Sequence, residues 1–215
     1  MKYLIANWKA HKTLKDVQEW IRVFKENYSS DRSDLLIILA ASAPHLSYIN
    51  HEIDGLANVQ VAAQGVSDKP EGSYTGEVTA KALEGIASYC IVGHSERRAR
   101  GETEEQIEAQ IKNLKDAGIT PILCIRKVED FPTNYTGIIA YEQPEAIGTG
   151  QNTAVDEVMD VYEKLNLSNM SAFLYGASVD ENNCKEYLER VEIKGFIVGT
   201  ASLYPIQFIK IAKQL

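Results

Sequence analysis

A cation, an imidazole and a carboxylate each follow a short apolar run of this sequence. Lys9, His94 and Glu142 lie within three residues of the end of such a run. A carboxylate can remove a proton from carbon, an imidazole can polarise a carbonyl group, and a cation stabilises the oxygen charge that develops. Each also has an ordinary explanation, because surface lysines and glutamates are usually solvated and a histidine can be a hydrogen-bonded structural residue. The fold must decide whether the three side chains meet.

The segment after Glu142 has the composition of a hinged lid. Pro144 stiffens one flank, and Gly148 and Gly150 permit backbone angles that are closed to other residues. A lid beside a general base would exclude water from a reactive intermediate. A surface loop with one solvated glutamate is the alternative, since loops of this composition are common.

Composition and charge restrict the class of protein. The chain of 215 residues is 45% hydrophobic with a net charge of −8, which is typical of a globular protein with a core. The negative charge argues against nucleic acid and anionic membranes as partners, although a helix N-terminus can still bind a small phosphate. Cys90, Cys124 and Cys184 lie far apart without a Cys-x-x-Cys motif, so neither a disulfide framework nor a zinc site is indicated.

We expect neither a targeting segment nor a membrane segment. The apolar run near the N-terminus is too short for a signal peptide, and the longest run, Leu35–Ala41, has the length of a buried strand. We therefore expect a cytoplasmic protein.

Eight short apolar runs recur along the chain. They are continuous rather than alternating, which is typical of parallel strands that are covered on both faces. The runs are Tyr3–Ala6, Leu35–Ala41, Val59–Ala63, Tyr89–Val92, Ile119–Ile125, Gly137–Tyr141, Ala172–Tyr175 and Phe196–Val198.

Helical patterns separate most of these runs. One begins after a potential cap at Thr13 and repeats apolar residues at helical spacing as far as Phe24. Strands alternating with helices predict an α/β fold, a closed (β/α)8 barrel in which residues 1–215 form a single domain. A doubly wound open sheet is the alternative, but no Gly-x-Gly-x-x-Gly motif follows the first strand.

One helix of the barrel is predicted to be shortened or missing. Between Ile125 and Gly137 the sequence contains Pro132 together with turn and β-branched residues, which disfavour a full helix. The fifth helix is therefore expected to be reduced to a turn. We expect this edge of the barrel to be open or covered by another subunit.

Active sites of (β/α)8 barrels lie at the C-terminal ends of the strands. Polar and glycine-containing segments follow the first, fourth, sixth, seventh and eighth runs, so the barrel predicts that they share one rim. The candidate residues there are Asn7, Lys9, His94, Glu96, Glu142, Ser178, Gly199 and Thr200.

Several of these segments resemble the signature blocks of the triosephosphate isomerase family. The blocks are Asn7-Trp8-Lys9, Val92-Gly93-His94-Ser95-Glu96-Arg97-Arg98, Ala140-Tyr141-Glu142 with Ala146-Ile147-Gly148-Thr149-Gly150, Tyr175-Gly176-Ala177-Ser178-Val179 and Gly195–Leu203. They occur in the order of the family and span the chain from Asn7 to Leu203. Together they are highly specific, whereas a single Asn-Trp-Lys block is not.

The resemblance implies a TIM barrel that interconverts dihydroxyacetone phosphate and D-glyceraldehyde 3-phosphate without a cofactor, in glycolysis and gluconeogenesis. The family is a well-known case of pKa tuning in an active site, and the following roles are carried over from it. Glu142 would transfer the proton between carbons, and neutral His94 would polarise the carbonyl. Lys9 would stabilise the enediolate, with Glu96 supporting it. Asn7 would bind a substrate oxygen.

The phosphate contacts and the dimer also come from the resemblance. Backbone N–H groups of Gly148, Ser178, Gly199 and Thr200 would hold the phosphate, and residues Gln143–Gly148 would form the lid. The loop from Gln64 to Glu77 is similar to the family's dimerisation loop, in which the counterpart of Thr75 supports the neighbouring site. We therefore expect a homodimer, with no nucleic acid or membrane partner.

The sequence departs from the family at several positions. Thr200 stands where a second glycine is common, so it would be strained if that position needs a positive φ, unless the turn is adjusted. Ala177 also stands where glycine is usual, and Glu145 replaces a bulky aromatic residue in the lid. None of these changes removes a group that performs chemistry.

Two other functions are compatible with a barrel of this kind. A catalytically idle phosphate-binding barrel would be favoured by loss of Lys9, His94 or Glu142, but all three are present. Another phosphosugar barrel enzyme would share the last phosphate turns but would lack the Gly-His-Ser-Glu-Arg-Arg block.

Overall fold

The computed structural model describes residues 1–29, 32–132, 135–143, 152–167 and 172–215. Eight parallel strands close into a barrel in the order β1 to β8, and β8 pairs with β1. The strands are β1 Lys2–Asn7, β2 Leu35–Ala41, β3 Val59–Ala63, β4 Tyr89–Val92, β5 Thr120–Ile125, β6 Ile138–Tyr141, β7 Ala172–Tyr175 and β8 Ile193–Val198. The prediction of a (β/α)8 barrel is confirmed.

The helices lie around the barrel. They are α1 Leu14–Asn27, α2 Leu46–Glu52, α3 Ala80–Leu83, α4 Ser95–Arg98, α5 Glu104–Asp116, α6 Val155–Leu165, α7 Cys184–Leu188 and α8 Pro205–Ala212. Short 3-10 helices cover Ala43–His45, Val128–Asp130 and Thr200–Leu203. In the part of the chain that the structure describes, no helix has the length and apolar character needed to cross a bilayer.

Helix α1 illustrates how local signals and packing agree. The Thr13 hydroxyl accepts from the Asp16 N–H and the Asp16 carboxylate accepts from the Thr13 N–H, which satisfies two free donors at the helix start. Trp20 and Phe24 lie on the buried face, with ring centroids 5.0 Å apart. Leu14, although it fits the helical spacing, is 46% exposed.

Small and apolar residues fill the barrel. The inner layer is made of isoleucine, leucine, alanine and cysteine side chains from the eight strands, as expected for a barrel whose interior is a packed core. Gly195 is required where β8 closes on β1, because a Cβ there would lie 1.8 Å from the Tyr3 carbonyl oxygen.

A short turn and loop replace a helix between β5 and β6. Among the described residues from 126 to 137, the only helical element is the 3-10 turn Val128–Asp130. The Asp130 carboxylate is buried and accepts hydrogen bonds from the Arg126 backbone N–H at 2.9 Å and its guanidinium at 2.9 and 3.0 Å. The prediction of a shortened fifth helix is confirmed.

The expectation that this edge of the barrel is open, or that another subunit is needed to cover it, is wrong. The outward-facing side chains Leu123, Ile125 and Ile139 are fully buried within the single chain. Tyr135, itself buried, packs in the layer that covers them and donates a hydrogen bond to the Pro121 carbonyl at 2.7 Å. An aromatic side chain in a loop can thus bury much of the apolar surface that a helix otherwise covers.

Candidate active site

The ends of five strands place the predicted residues around one cavity of about 420 Å³. Its lining includes Asn7, Lys9, His94, Glu142, Ser178, Gly199 and Thr200. Glu96 lines an adjacent cavity and forms an ion pair with Lys9, which lines both cavities. Gly148 and the rest of 144–151 lie outside the described residues. The cavity opens at the C-terminal rim, where barrel sites are expected.

Lys9 is held by residues that lie far away in the sequence. Its ammonium nitrogen donates to the Glu96 carboxylate at 2.7 Å, and the two side chains are 22% and 48% exposed. Its backbone N–H donates to the Asn7 side-chain oxygen at 3.2 Å. The backbone of Lys9 has a φ of 50°, a left-handed conformation that costs an L-residue about 1 kcal/mol. Strain of this kind is often found at functional sites.

His94 and Glu142 form a buried pair. The His94 Nε2 atom lies 3.1 Å from Glu142 Oε1, and the Ser95 backbone N–H donates to Glu142 Oε2 at 3.2 Å. Glu142 is 2% exposed and His94 is 6% exposed. A buried carboxylate therefore has two donors, as its burial requires.

The hydrogen bonds of His94 indicate which tautomer it adopts. Its Nδ1 atom accepts the Glu96 backbone N–H at 3.2 Å, so Nδ1 carries no proton in this arrangement. The proton then resides on Nε2 and points to Glu142. This is the neutral imidazole that the family resemblance implies, with its donor directed into the cavity.

Opposing influences act on the pKa of His94. Burial is the largest influence and lowers the pKa, but the charge and hydrogen bond of Glu142, with a smaller contribution from Glu96, raise it above its ordinary value. Lys9 acts in the lowering direction. The net rise depends on the Glu142 carboxylate next to the ring, so a movement of Glu142 away from His94 favours the neutral imidazole.

The turns after β7 and β8 form the other end of the cavity. Ser178 has a φ of 46°, and its carbonyl accepts from the Asn183 side chain at 2.9 Å. Thr200 begins the 3-10 helix Thr200–Leu203 and does not have a positive φ. The strain considered for Thr200 is therefore absent, because Gly199, with ψ of −103°, makes the turn before it.

Three donors fix the 3-10 helix after β8. The indole N–H groups of Trp8 and Trp20 donate to the Ser202 carbonyl at 3.1 and 2.9 Å, and Lys12 donates to the Leu203 carbonyl at 3.0 Å. The orientation of this turn thus depends on the segment between β1 and α1 and on α1 itself. Only Trp8 belongs to one of the sequence blocks, and nothing local in the sequence predicts that Trp20 contacts Ser202.

The comparisons with known proteins agree with this geometry. The model of the family "Triosephosphate isomerase" matches residues 2–215. The chain belongs to the triosephosphate isomerase family. Curated relatives with that name include proteins of Gloeothece citriformis at 34% identity, Synechocystis at 33% and Aquifex aeolicus at 32%. The alignments cover 98% of this chain and 97–98% of each relative.

This member of the family is short. The alignment with the Aquifex aeolicus protein spans 244 positions, whereas the chain has 215 residues, so the relative contains residues that this chain lacks. The 3-10 turn between β5 and β6 shows that the barrel still closes where a helix is reduced.

A second cavity of about 430 Å³ adjoins the first. It shares Asn7, Lys9 and His94 with the first cavity, and Gln64, Glu77 and Arg97 also line it. The Gln64 side chain donates to the Ala40 carbonyl at 2.8 Å. In the loop that follows, residues 70–77 are exposed, and the large side chain of Tyr74 is 42% exposed.

The buried thiol of Cys124 also lies close to Glu142. Burial and the charge of Glu142 raise the pKa of Cys124 well above its ordinary value, so the thiol stays protonated. No feature of the sequence singles out this cysteine. In the described part of the chain, no three His, Cys, Asp or Glu side chains are grouped as a metal site requires.

Proposed function

We propose that the protein interconverts dihydroxyacetone phosphate and D-glyceraldehyde 3-phosphate by proton transfer through an enediolate, as a cytoplasmic enzyme of glycolysis and gluconeogenesis. The observation that carries the proposal is the buried pair of Glu142 and His94 beside the ammonium group of Lys9. Membership of the triosephosphate isomerase family supports the same reaction.

Glu142 is the proposed base. Its carboxylate is buried directly after β6 and accepts hydrogen bonds from His94 and from the Ser95 N–H. Among the described residues, no lysine or arginine forms an ion pair with it, so the carboxylate can turn from His94 to a substrate carbon. It would remove the proton next to the carbonyl and return it to the neighbouring carbon.

His94 is the proposed electrophile. Its Nε2–H faces the cavity, and a substrate oxygen that replaces the Glu142 carboxylate at 3.1 Å would accept this hydrogen bond. The same nitrogen could then pass protons between the two substrate oxygens. Because departure of the carboxylate lowers the pKa of His94, the imidazole would remain neutral during this step.

Lys9 and Asn7 are proposed to stabilise charge on the substrate. The Lys9 ammonium group would attract both the enediolate oxygen and the phosphate, and Glu96 would hold it in place through their 2.7 Å pair. Asn7, which is 5% exposed, would donate to a substrate oxygen. No step needs a cofactor, because the proton removed from one carbon is balanced by a proton delivered to the neighbouring carbon and no electrons leave the substrate.

The phosphate is proposed to bind at the turns after β7 and β8. Backbone N–H groups of Ser178, Gly199 and Thr200 would be the donors, in the arrangement common to barrels that bind phosphate. The contact predicted for Gly148 and the lid predicted over Gln143–Gly148 fall largely outside the described residues and stay predictions.

Two structural proposals accompany the reaction. Residues 1–215 would form one domain, which a single cooperative unfolding transition would support. Two chains would pair through the loop from Gln64 to Glu77, because this exposed loop lies next to a cavity that shares Lys9 and His94 with the proposed site. Sedimentation that finds a fully active monomer at low concentration would refute the dimer.

The reaction is tested by a coupled assay of glyceraldehyde 3-phosphate conversion. Glu142→Gln removes the base while it keeps the shape of the side chain, so kcat should fall by about 10³-fold or more. Glu108→Gln on the exposed face of α5 is a matched control and should leave kcat unchanged. A parent protein that binds phosphate but has no isomerase activity would instead support the idle phosphate-binding barrel.

A further inference from the structure

Two stacked tyrosines hold the backbone of Thr153 from both sides. The Thr153 N–H donates to the Tyr175 hydroxyl at 3.0 Å, and the Tyr187 hydroxyl donates to the Thr153 carbonyl at 2.6 Å. The two rings are 4.4 Å apart at an angle of 23°. Both tyrosines are fully buried. A residue whose backbone N–H and C=O groups are both bonded in this way has little freedom to shift.

Thr153 in turn contacts the residue that follows the proposed base. Its hydroxyl donates a hydrogen bond to the side-chain oxygen of Gln143. Gln143 is bonded directly to Glu142, whose backbone N–H donates to the Ile125 carbonyl at 2.8 Å. The chain around Glu142 is therefore anchored on one side by β5 and on the other, through Thr153, by Tyr187 in α7.

The hydroxyl of Tyr187 is not needed to fill the core. Its ring packs against Tyr175 and, edge-on, against Phe196 with centroids 6.3 Å apart, which a phenylalanine could also do. Burial, with the interaction between the hydroxyl groups of Tyr187 and Tyr175, raises the pKa of Tyr187, so the hydroxyl stays protonated and can donate a hydrogen bond. What the hydroxyl adds to the ring is the bond to Thr153 and the contact with the Tyr175 hydroxyl.

We propose that Tyr187 is a positioning residue of the isomerase site, which fixes Thr153 and through Gln143 the backbone from which Glu142 projects. The role rests on the proposed function, because it matters only if Glu142 acts as the base. Proton abstraction from carbon requires the carboxylate to be placed within a fraction of an ångström, so a loosened support lowers the rate without removing any reacting group.

The test compares Tyr187→Phe, Thr153→Val and the double variant. Tyr187→Phe keeps the ring and removes the donor, and Thr153→Val keeps the backbone and removes the link to Gln143. We expect each to lower kcat about tenfold, the effect of losing one buried hydrogen bond on a precisely placed group. KM should change little, because the proposed phosphate donors in the turns after β7 and β8 take no part in the contacts between Tyr187, Thr153 and Gln143.

Two further readouts separate positioning from general stability. The kcat of the double variant should be no lower than that of the less active single variant, because both changes interrupt the same connection. The pH dependence of kcat/KM should also differ from that of the parent. Tyr162→Phe is a matched control. Tyr162 packs on Phe173, and its hydroxyl forms no hydrogen bond with another residue in the described part of the chain. This variant should keep the parent kcat.

The outcomes are distinguishable when each variant is assayed well below its own unfolding temperature. An active parent with an unchanged kcat and pH profile in Tyr187→Phe would refute the positioning role and leave the isomerase proposal standing. If the fold-losses in kcat of the two single variants multiply in the double variant, Tyr187 does not act on Glu142 through Thr153 and Gln143. A parent without isomerase activity would refute the proposed function and this role with it.

Discussion

Gly176→Ala is expected to disable the site through a single added methyl group. Gly176 directly follows β7, and a Cβ built there would lie 2.3 Å from Ile197 Cγ2 and 3.2 Å from Glu142 Cγ. Carbon atoms in ordinary contact are roughly 3.5–4.0 Å apart, so Ile197 or the backbone would have to move by about 1 Å or more. The Gly176 N–H donates to the Tyr141 carbonyl, which limits movement of the backbone.

The geometry gives an approximate size for the effect. Overpacking of this kind destabilises a protein by about 1–3 kcal/mol. A displacement of about 1 Å at a catalytic group can reduce the rate by roughly 10²-fold, which corresponds to about 2.7 kcal/mol of activation free energy. We therefore expect a folded variant with kcat/KM lowered about a hundredfold.

A second substitution tests the cause. Ile197→Ala removes the methyl group that the new Cβ meets, so the double variant with Gly176→Ala should recover at least about tenfold in kcat/KM over Gly176→Ala alone. The assay is steady-state isomerase kinetics, with thermal unfolding measured in parallel. Activity of Gly176→Ala within about twofold of the parent, or a double variant without recovery, would refute the packing argument.

Three other changes follow from individual contacts. Glu142→Gln should lower the pKa of His94, because the carboxylate raises that pKa against burial, and NMR titration of the imidazole measures the change. Tyr135→Phe should lower the free energy of unfolding by about 1–2 kcal/mol, because the Pro121 carbonyl loses its 2.7 Å donor, and thermal unfolding should shift accordingly with kcat unchanged. Trp20→Phe should raise KM by roughly two- to tenfold, since one N–H that orients the turn after β8 is lost.

Each of these three predictions would be contradicted by a specific result. A His94 pKa that is unchanged or higher in Glu142→Gln would contradict the assigned cause of its shift. A Tyr135→Phe variant as stable as the parent, with Tyr162→Phe as reference, would show that the hydroxyl does not secure the loop. If Trp20→Phe lowers kcat but leaves KM unchanged, the turn after β8 is not primarily a phosphate site.

The strands were predictable because their signal is local. Four of the eight apolar runs, among them Leu35–Ala41 and Val59–Ala63, coincide with strands at both ends. Barrel strands are covered on both faces, so they appear in the sequence as unbroken apolar runs. The sequence shows no clear helical pattern over α2 and α3, because each has only two buried residues and α3 has only four residues.

The open edge expected beside β5 shows the limit of that reasoning. The sequence correctly indicated that a helix is missing, but it could not indicate that Tyr135 would fold back to Pro121, 14 residues earlier in the chain. Such a contact depends on the position of the loop over the barrel. The composition of the loop alone does not specify it.

The sequence by itself determined the residue types of the proposed chemistry and the rim on which they would stand. The order of strands and the ends of apolar runs are enough to assign Lys9, His94 and Glu142 to one end of a barrel. Only the tertiary structure decided that Lys9 pairs with Glu96, 87 residues away, that Glu142 contacts His94, and that Tyr187 supports Thr153. Hydrogen bonds depend on distances of a few tenths of an ångström, and closure of the barrel sets those distances.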